Sequence, residues 1–220
     1  MPVLSFHSVS WNEFDSKIKY LKDSGYQSIF VNDFFKLCRS NPVLSQKTVI
    51  ITSDDGYISD YDVFYPVLKK YGMKGTVNIQ TSTLNNTSRH INNQQLKEMA
   101  NSGLIEVGSH SHDLHGRHIL RQSGETENQH KERLKKDFNQ SKQILENVTQ
   151  KKINIFALPE GLFSWDIIRA AQSVGLEMFL GSQRGINPIN FCEGTTVLKR
   201  IESDSVGIND FKKMVDNNFQ

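Results

Sequence analysis

Short apolar runs rich in β-branched residues alternate with helical stripes along almost the whole chain, and this alternation limits the possible folds more than any other feature. Residues 48–52 read Thr-Val-Ile-Ile-Thr, which is typical of a strand covered on both faces. Residues 11–24 carry large apolar side chains at three- and four-residue steps and predict an amphipathic helix that Gly25 ends. Repeated units of this kind imply parallel strands joined by right-handed crossovers.

The same patterns predict about eight strands with helices between most of them. The strands are expected at residues 2–6, 28–31, 48–52, 76–79, 104–108, 153–157, 178–180 and 196–198. The helices are expected at residues 11–24, 34–37, 63–71, 94–100, 125–147, 164–174 and 208–218. For a chain of 220 residues these elements favour an α/β fold, a distorted (β/α) barrel of about seven to eight mostly parallel strands.

Charge and hydropathy exclude two classes of partner. The chain has 26 Lys and Arg against 24 Asp and Glu, so it lacks the basic excess typical of nucleic-acid binders, and no nucleic acid is expected. No apolar run approaches the roughly 18 residues that a transmembrane segment needs. Because Met1 leads directly into the first predicted strand, we expect a cytoplasmic protein if the sequence is complete. If a leader was removed, the cell surface or periplasm is expected instead.

Two aspartates, Asp54 and Asp55, follow directly after the strand at residues 48–52. The carboxyl ends of parallel strands are where α/β proteins place catalytic groups. A turn that starts at Gly56 can bring both carboxylates to one cavity, and a bound cation would offset their repulsion. The alternative is an Asp-Asp-Gly turn without chemistry, because Asp and Gly are common in turns.

Histidines are concentrated after the strand at residues 104–108. Four of the seven in the chain fall within nine residues: His110, His112, His115 and His118. One carboxylate and two imidazoles can hold a divalent ion and leave positions open for water and substrate, which is a catalytic arrangement. Any single histidine could instead be an ordinary core or surface residue. The residue pattern alone does not decide which two would bind the ion.

A third segment, residues 156–161, ends another predicted strand in a Pro-Glu-Gly turn. A turn of this kind can direct a backbone N–H into a cavity, where it would stabilise the oxyanion formed at an attacked carbonyl group. Together the three segments predict a small metal-dependent hydrolase.

In order and spacing, these segments resemble the polysaccharide deacetylases, carbohydrate esterase family four. Residues 51–57 are similar to the Thr-Phe-Asp-Asp-Gly signature of that family, and residues 156–161 are similar to its Pro-Tyr-Gly turn. Residues 3–9 resemble its opening strand, which ends in an aromatic residue and a histidine. The resemblance covers most of the chain, so residues 1–220 are expected to form a single catalytic domain.

The resemblance implies a hydrolase that removes N-acetyl groups from amino sugars in a polysaccharide or oligosaccharide. It implies zinc, or another divalent transition metal such as cobalt or nickel, as the cofactor. Asp54 would be the general base, Asp55 and His110 would be metal ligands, and the backbone N–H of Glu160 would help to hold the oxyanion. The expected partner is a carbohydrate that bears N-acetylated amino sugars.

The second histidine ligand connects the chain to one branch of the family. Most members place it four residues after the first, a position that Leu114 occupies here. The five-residue spacing to His115 resembles the branch that deacetylates poly-N-acetylglucosamine, so His115 is assigned as the second ligand. His112 and His118 remain alternates.

Three positions depart from the family pattern. Ser53 replaces the usual Phe, and Glu160 replaces the usual Tyr. The late Leu-x-His motif, which supplies the general acid, has no counterpart, because no histidine follows His130. Arg200 lies in roughly that place and is a poor acid, because it stays protonated. Two alternatives therefore stay open: a deacylase (acetyl or formyl) of a nucleotide- or lipid-linked amino sugar, and a catalytically weak carbohydrate-binding relative.

Overall fold

A computed structural model describes residues 1–40, 47–86, 88–188 and 196–217. The strands are β1 (Val3–Phe6), β2 (Gln27–Ser28), β3 (Thr48–Asp55), β4 (Gly75–Ile79), β5 (Ile105–Ser109), β6 (Ile155–Ala157), β7 (Met178–Leu180), β8 (Val197–Leu198) and β9 (Ile201–Glu202). The α-helices are α1 (Trp11–Asp23), α2 (Val31–Ser40), α3 (Tyr65–Tyr71), α4 (Asn93–Asn101), α5 (Glu127–Thr149), α6 (Trp165–Ser173) and α7 (Ile208–Asn217). A π-helix (Asp60–Phe64) and two 3-10 helices (Gly116–Ile119, Pro159–Gly161) complete the elements of these ranges.

The strands form one curled sheet in the order β8-β7-β6-β5-β4-β3-β1-β9, with β2 paired to β3. Every pairing between these strands is parallel. The two ends of this order, β8 and β9, are separated in the chain only by Lys199 and Arg200. The opposite edges of the sheet must therefore lie close together, which confirms the predicted α/β fold with a distorted barrel.

Alternate strand residues face opposite sides of the sheet, and this alternation divides the core in two. The outer cluster packs against the helices, as in the edge-to-face contact of Phe6 with Phe14 of α1, whose ring centroids are 5.0 Å apart. The inner cluster fills the barrel and includes Ile50 of β3 together with Phe34 and Phe35 of α2. Because α2 supplies part of this interior, it closes the amino-terminal end of the barrel and leaves the carboxyl ends of the strands accessible.

The predicted elements differ most from the structure in three places. The helix predicted at residues 63–71 is α-helical only from Tyr65, because residues 60–64 form a π-helix. The strand expected at residues 28–31 is only Gln27–Ser28, because Val31 already begins α2. The carboxylate of Asp33 accepts a hydrogen bond from the backbone N–H of Phe30 at 3.4 Å, which favours the start of a helix there. Strand β9 was not predicted, because its two residues are too short for a recognisable alternation. Residue 218, the predicted end of the last helix, lies outside the described residues.

Within the described ranges, no helix combines the length and the apolar composition that a membrane span requires.

Candidate active site

Asp54 owes its position to the register of three neighbouring strands. It lies beside Asn78 of β4, which in turn lies beside Gly108 of β5. A Cβ atom at Gly108 would come within 2.2 Å of the Asn78 Oδ1 atom, so only glycine leaves room for that amide. The Asn78 amide donates a hydrogen bond to Asp54 Oδ1 at 2.8 Å.

The carboxylate of Asp54 is held by a two-pronged ion pair with Arg200. Arg200 Nη1 donates to Oδ1 at 2.9 Å and Nη2 donates to Oδ2 at 2.7 Å, and both side chains are buried. Burial raises the pKa of Asp54, but the charge of Arg200 and its hydrogen bonds outweigh this effect and hold the pKa below its usual range. A carboxylate offers about four lone-pair positions. Asn78 and Arg200 fill three, so Asp54 is an anion with one acceptor position left on Oδ2.

Asp55, His110 and His115 converge on one point. Asp55 Oδ1 lies 3.5 Å from His110 Nε2 and 3.3 Å from His115 Nε2. One ligand atom from each of the three residues lies within 4.8 Å of the other two. The backbone of Asp55 is left-handed (φ 75°), as is that of Gly56 (φ 77°), so the predicted turn begins at Asp55 itself. Asp55 Oδ1 is buried and accepts no hydrogen bond within the described part of the chain.

The tautomer of His110 suits this point to a cation. His110 Nδ1 lies 2.9 Å from the carbonyl oxygen of Ala157, which can only accept, so Nδ1 carries the proton. Burial lowers the pKa of His110 and favours the neutral ring. The lone pair on Nε2 then faces the carboxylate of Asp55. Two electron-rich atoms with no proton between them fit a shared divalent ion, so these residues suit a metal centre.

The electrostatic field at this point favours positive charge. The close contact with the carboxylate of Asp55 raises the pKa of His115, and the charge of Glu160 raises it further against the effect of burial. Burial raises the pKa of Asp55, but His115 and His110 outweigh it and keep this carboxyl below its usual value. The site therefore attracts a cation, for which protons compete at low pH.

The loop that carries the histidines is fixed by a single carboxylate of α5. Asp137 accepts hydrogen bonds from the backbone N–H groups of His112, Asp113 and Leu114, at 2.8, 2.8 and 3.1 Å. These bonds turn the chain so that His115 faces His110, with ring centroids 5.1 Å apart.

The two alternate histidines are directed elsewhere. His112 Nδ1 lies 3.0 Å from Thr81 Oγ1, and its Nε2 lies 2.9 Å from the amide nitrogen of Gln140. His118 is exposed on the 3-10 helix that follows the loop. Among the described residues, the three-residue group that could hold an ion contains neither of them.

A residue that the sequence analysis did not assign lines the same cavity. His7 follows β1, and its backbone N–H donates to Asp204 Oδ1 at 3.0 Å. Its ring Nδ1 lies 2.6 Å from Asp204 Oδ2. This hydrogen bond raises the pKa of His7 to about 9 against the effect of burial, and the charges of Asp54 and Asp55 add to it. The position of His7 directly after a strand is the same signal that identified Asp54.

All the predicted site residues line one cavity of about 240 Å³, together with His7. The lining of this cavity includes His7, Asp54, Asp55, His110, His115 and Glu160. Glu160 lies there with a left-handed backbone (φ 51°) in the turn after β6. The next residue must be glycine, because a Cβ atom at Gly161 would lie 1.8 Å from Ser182 Oγ. A second cavity of about 550 Å³ shares Ser182, Arg200 and Glu202 with the first.

Fold and site together define an α/β-barrel protein with a candidate metal centre at the carboxyl ends of its strands. The family model described as Polysaccharide deacetylase matches residues 42–179. The chain is 32% identical over 193 residues to YxkH of Bacillus subtilis (strain 168), which carries a provisional polysaccharide deacetylase name; the match covers 84% of this chain and 65% of the relative. The chain therefore belongs to the polysaccharide deacetylase family.

The chain is also similar to a curated protein by sequence and to a solved structure by fold. The chain is 29% identical over 193 residues to the poly-beta-1,6-N-acetyl-D-glucosamine N-deacetylase of Staphylococcus aureus (strain MSSA476), covering 83% of this chain and 64% of that protein. The fold matches a solved de-N-acetylase from Aggregatibacter actinomycetemcomitans with a TM-score of 0.86 and 24% identity, over 100% of this chain and 99% of that one. The chain spans slightly less than two thirds of the length of the relatives matched by sequence.

Proposed function

We propose that this protein is a metal-dependent deacetylase that removes N-acetyl groups from amino sugars in a polysaccharide or oligosaccharide. One observation carries the proposal: an ion-binding triad, an ionised carboxylate and a protonated imidazole line the same cavity. Hydrolysis of an amide needs a base that takes a proton from water and an acid that gives one to the leaving nitrogen. The staphylococcal relative is named for this reaction on a polymer of N-acetylglucosamine.

Asp55, His110 and His115 would hold the ion. Zinc suits two imidazoles and one carboxylate, and cobalt and nickel accept the same donor atoms. A divalent ion at this place would polarise the acyl oxygen and lower the pKa of water. The accessible cavity leaves room for both water and substrate beside the triad.

Asp54 is the proposed general base. Its remaining lone pair on Oδ2 would accept a proton from the attacking water, while Arg200 and Asn78 keep the carboxylate oriented. The hydroxide so formed adds to the acyl carbon. Glu160 lies in the same cavity wall, and its backbone N–H is the proposed donor to the resulting oxyanion.

His7 is the proposed general acid. Its Nδ1 is bonded to Asp204, so its Nε2–H is the proton available to the substrate. When the carbon–nitrogen bond breaks, the nitrogen takes this proton and leaves as a free amine, and the acyl group leaves as a carboxylate. The hypothesis of a catalytically weak relative depended on the absence of a late histidine and on Glu160 in place of the usual Tyr. The proposed role of His7, near the other end of the chain, would remove the first of these two reasons.

The second cavity supports an oligomeric substrate. It adjoins the first and could receive the neighbouring sugar of the same chain. Its wall contains the carboxylates of Glu202 and Asp210 against one further guanidinium, that of Arg184, since Arg200 is already bound to Asp54. The phosphates of a nucleoside diphosphate would be repelled by these carboxylates, whereas uncharged sugar hydroxyls can donate hydrogen bonds to them.

Acetate release from N-acetylglucosamine oligomers, with and without chelator, tests the proposal. We expect EDTA to abolish activity and zinc to restore it. His115→Ala should lose activity and zinc binding, whereas the matched control His112→Ala should keep both, because His112 lies outside the cavity. Robust activity that survives both EDTA and the loss of Asp55 would overturn the proposed mechanism.

A further inference from the structure

A second buried carboxyl lies behind the site and takes no part in the proposed chemistry. Asp60 begins the π-helix, and both Asp60 and Ser53 are 0% exposed. Ser53 is the residue after Thr52 on the outer face of β3, opposite the cavity. The Ser53 hydroxyl oxygen lies 2.5 Å from Asp60 Oδ1 and 3.2 Å from the backbone carbonyl oxygen of His7.

The two contacts of the Ser53 hydroxyl favour a protonated Asp60. A serine hydroxyl has one proton, and the His7 carbonyl oxygen can only accept. If Ser53 donates to His7, the proton in the shorter contact must come from Asp60, which is then a neutral carboxylic acid. Burial raises the pKa of Asp60, as do the charges of Asp54 and Asp55, against the lowering effects of Ser53 and His7.

The unpaired oxygen of Asp60 agrees with this assignment. Asp60 Oδ2 is buried and has no hydrogen-bond partner in the described part of the protein. A buried carboxylate oxygen without a partner is far more costly than the carbonyl oxygen of a neutral acid. With a neutral Asp60, the carboxyl O–H donates to the Ser53 oxygen and the Ser53 hydroxyl donates to the backbone carbonyl oxygen of His7.

The start of the π-helix also holds the other end of the turn that carries His7. The backbone N–H of Val9 donates to Ser59 Oγ at 3.4 Å. The turn of residues 7–9 is thus bonded at one end to Ser53, which contacts Asp60, and at the other end to Ser59, while Asp204 binds the imidazole ring. Irregular helical turns of this type are frequent at functional sites.

We propose that Asp60 is a positioning residue: as an uncharged acid it acts through Ser53 to fix the main chain of His7, so that the imidazole presents its Nε2–H to the cavity. This proposal rests on the assignment of His7 as proton donor. The arrangement needs a hydrogen-bond donor at position 60 and no charge. An amide should therefore replace the carboxyl group, and an aliphatic side chain should not.

The test uses Asp60→Asn, Asp60→Ala and Ser53→Ala, with Asp62→Asn as control, because Asp62 is exposed on the same π-helix. NMR titration of the His7 ring in metal-free protein reports its pKa, and infrared spectroscopy at neutral pH reports protonated carboxyl groups. We expect one protonated-carboxyl band that Asp60→Asn removes and Asp62→Asn leaves in place. The pKa of His7 should be retained in Asp60→Asn and fall by about one unit in Asp60→Ala and Ser53→Ala, as the contact with Asp204 loosens.

The kinetic parameters should divide the variants in the same way as the pKa of His7 does. Asp60→Ala and Ser53→Ala should lower kcat roughly tenfold, with KM changed about twofold or less, because a misplaced proton donor affects the chemical step. Asp60→Asn should restore most of kcat. The proposal is overturned if Asp60→Asn lowers the pKa of His7 as much as Asp60→Ala, or if Ser53→Ala titrates like the parent protein. The spectroscopic results stand even if oligomers are not hydrolysed, so they separate this proposal from the proposed function.

Discussion

The two walls of the cavity are built in different ways. The metal wall consists of Asp54, Asp55, His110 and His115, which come from the neighbouring part of the sheet that contains β3, β4 and β5. The proton wall is formed by His7, which Asp204 holds from outside the cavity lining; the two residues are 197 positions apart and meet because β9 pairs with β1. The residues of the metal wall lie close together in the sequence, as two local clusters. The second depends on which strands become neighbours, so the sequence shows its members only as isolated residues.

The largest effect is expected in the metal wall. Asp55→Ala removes the only carboxylate of the triad, so zinc binding should be lost and kcat/KM should fall about a thousandfold or more, since the ion contributes several kcal/mol. Zinc titration calorimetry and acetate release measure the two effects. Asp113→Ala is the matched control, an exposed aspartate close to the same histidines. Zinc binding equal to that of the parent protein would show that Asp55 is not a ligand.

A substitution in the proton wall should lower activity and leave metal binding intact, which separates the roles of the two walls. His7→Gln should lower kcat by roughly two to three orders of magnitude, which is the usual worth of a general acid. Zinc affinity should change little, because the candidate ion-binding group found among the described residues does not include His7. The measurements are steady-state kinetics and calorimetry on the same preparation. An unchanged kcat would show that His7 is not the general acid and that another group protonates the leaving nitrogen.

Asp204→Asn should have a smaller effect that depends on pH. The general acid must be protonated, so activity is lost as pH rises through the pKa of His7, which Asp204 raises to about 9. Without that carboxylate the pKa falls, and the alkaline limb of kcat/KM should move to lower pH by about one unit or more. A pH–rate profile measures the shift, with Asp62→Asn as a neutralised control. If the alkaline limb of kcat/KM does not move, it reflects the titration of a group other than His7.

The smallest effect is expected outside both walls. Arg184 lines the second cavity and not the first. Arg184→Ala should lower the ratio of kcat/KM for a tetramer to that for a dimer by roughly three- to tenfold, the worth of one hydrogen bond to a sugar. The control Arg169→Ala removes an exposed arginine of α6. An unaltered ratio would mean that the second cavity does not bind the neighbouring sugar.

Much of the fold and half of the site follow from local pattern. Apolar runs and helical stripes located most strands, and parallel pairing then required their carboxyl ends to meet, which places Asp55 beside His110. Strand β9 was missed because two residues show no alternation, and Val31 was misassigned because a short apolar run suits either a strand or a helix.

The rest of the site depends on contacts that no local pattern contains. The choice between His112 and His115 is made by Asp137, Thr81 and Gln140, which come from two other elements. Arg200 was considered only as a poor acid, and its role as the partner of Asp54 follows from the closure of the sheet. A sequence read from one end to the other cannot supply these pairings.

The closure of the barrel has a consequence for its synthesis. Arg200 follows Asp54 by 146 residues, so at about 5–20 residues per second it leaves the ribosome roughly 7–30 s later. During that interval the nascent polypeptide lacks Arg200, the residue that pairs with the aspartate in the folded protein, and enclosing an unpaired anion costs several kcal/mol. The centre cannot mature before the last strands dock. Translation that stops short of them yields a polypeptide that lacks Arg200, the residue that holds the carboxylate of the proposed base Asp54 in place.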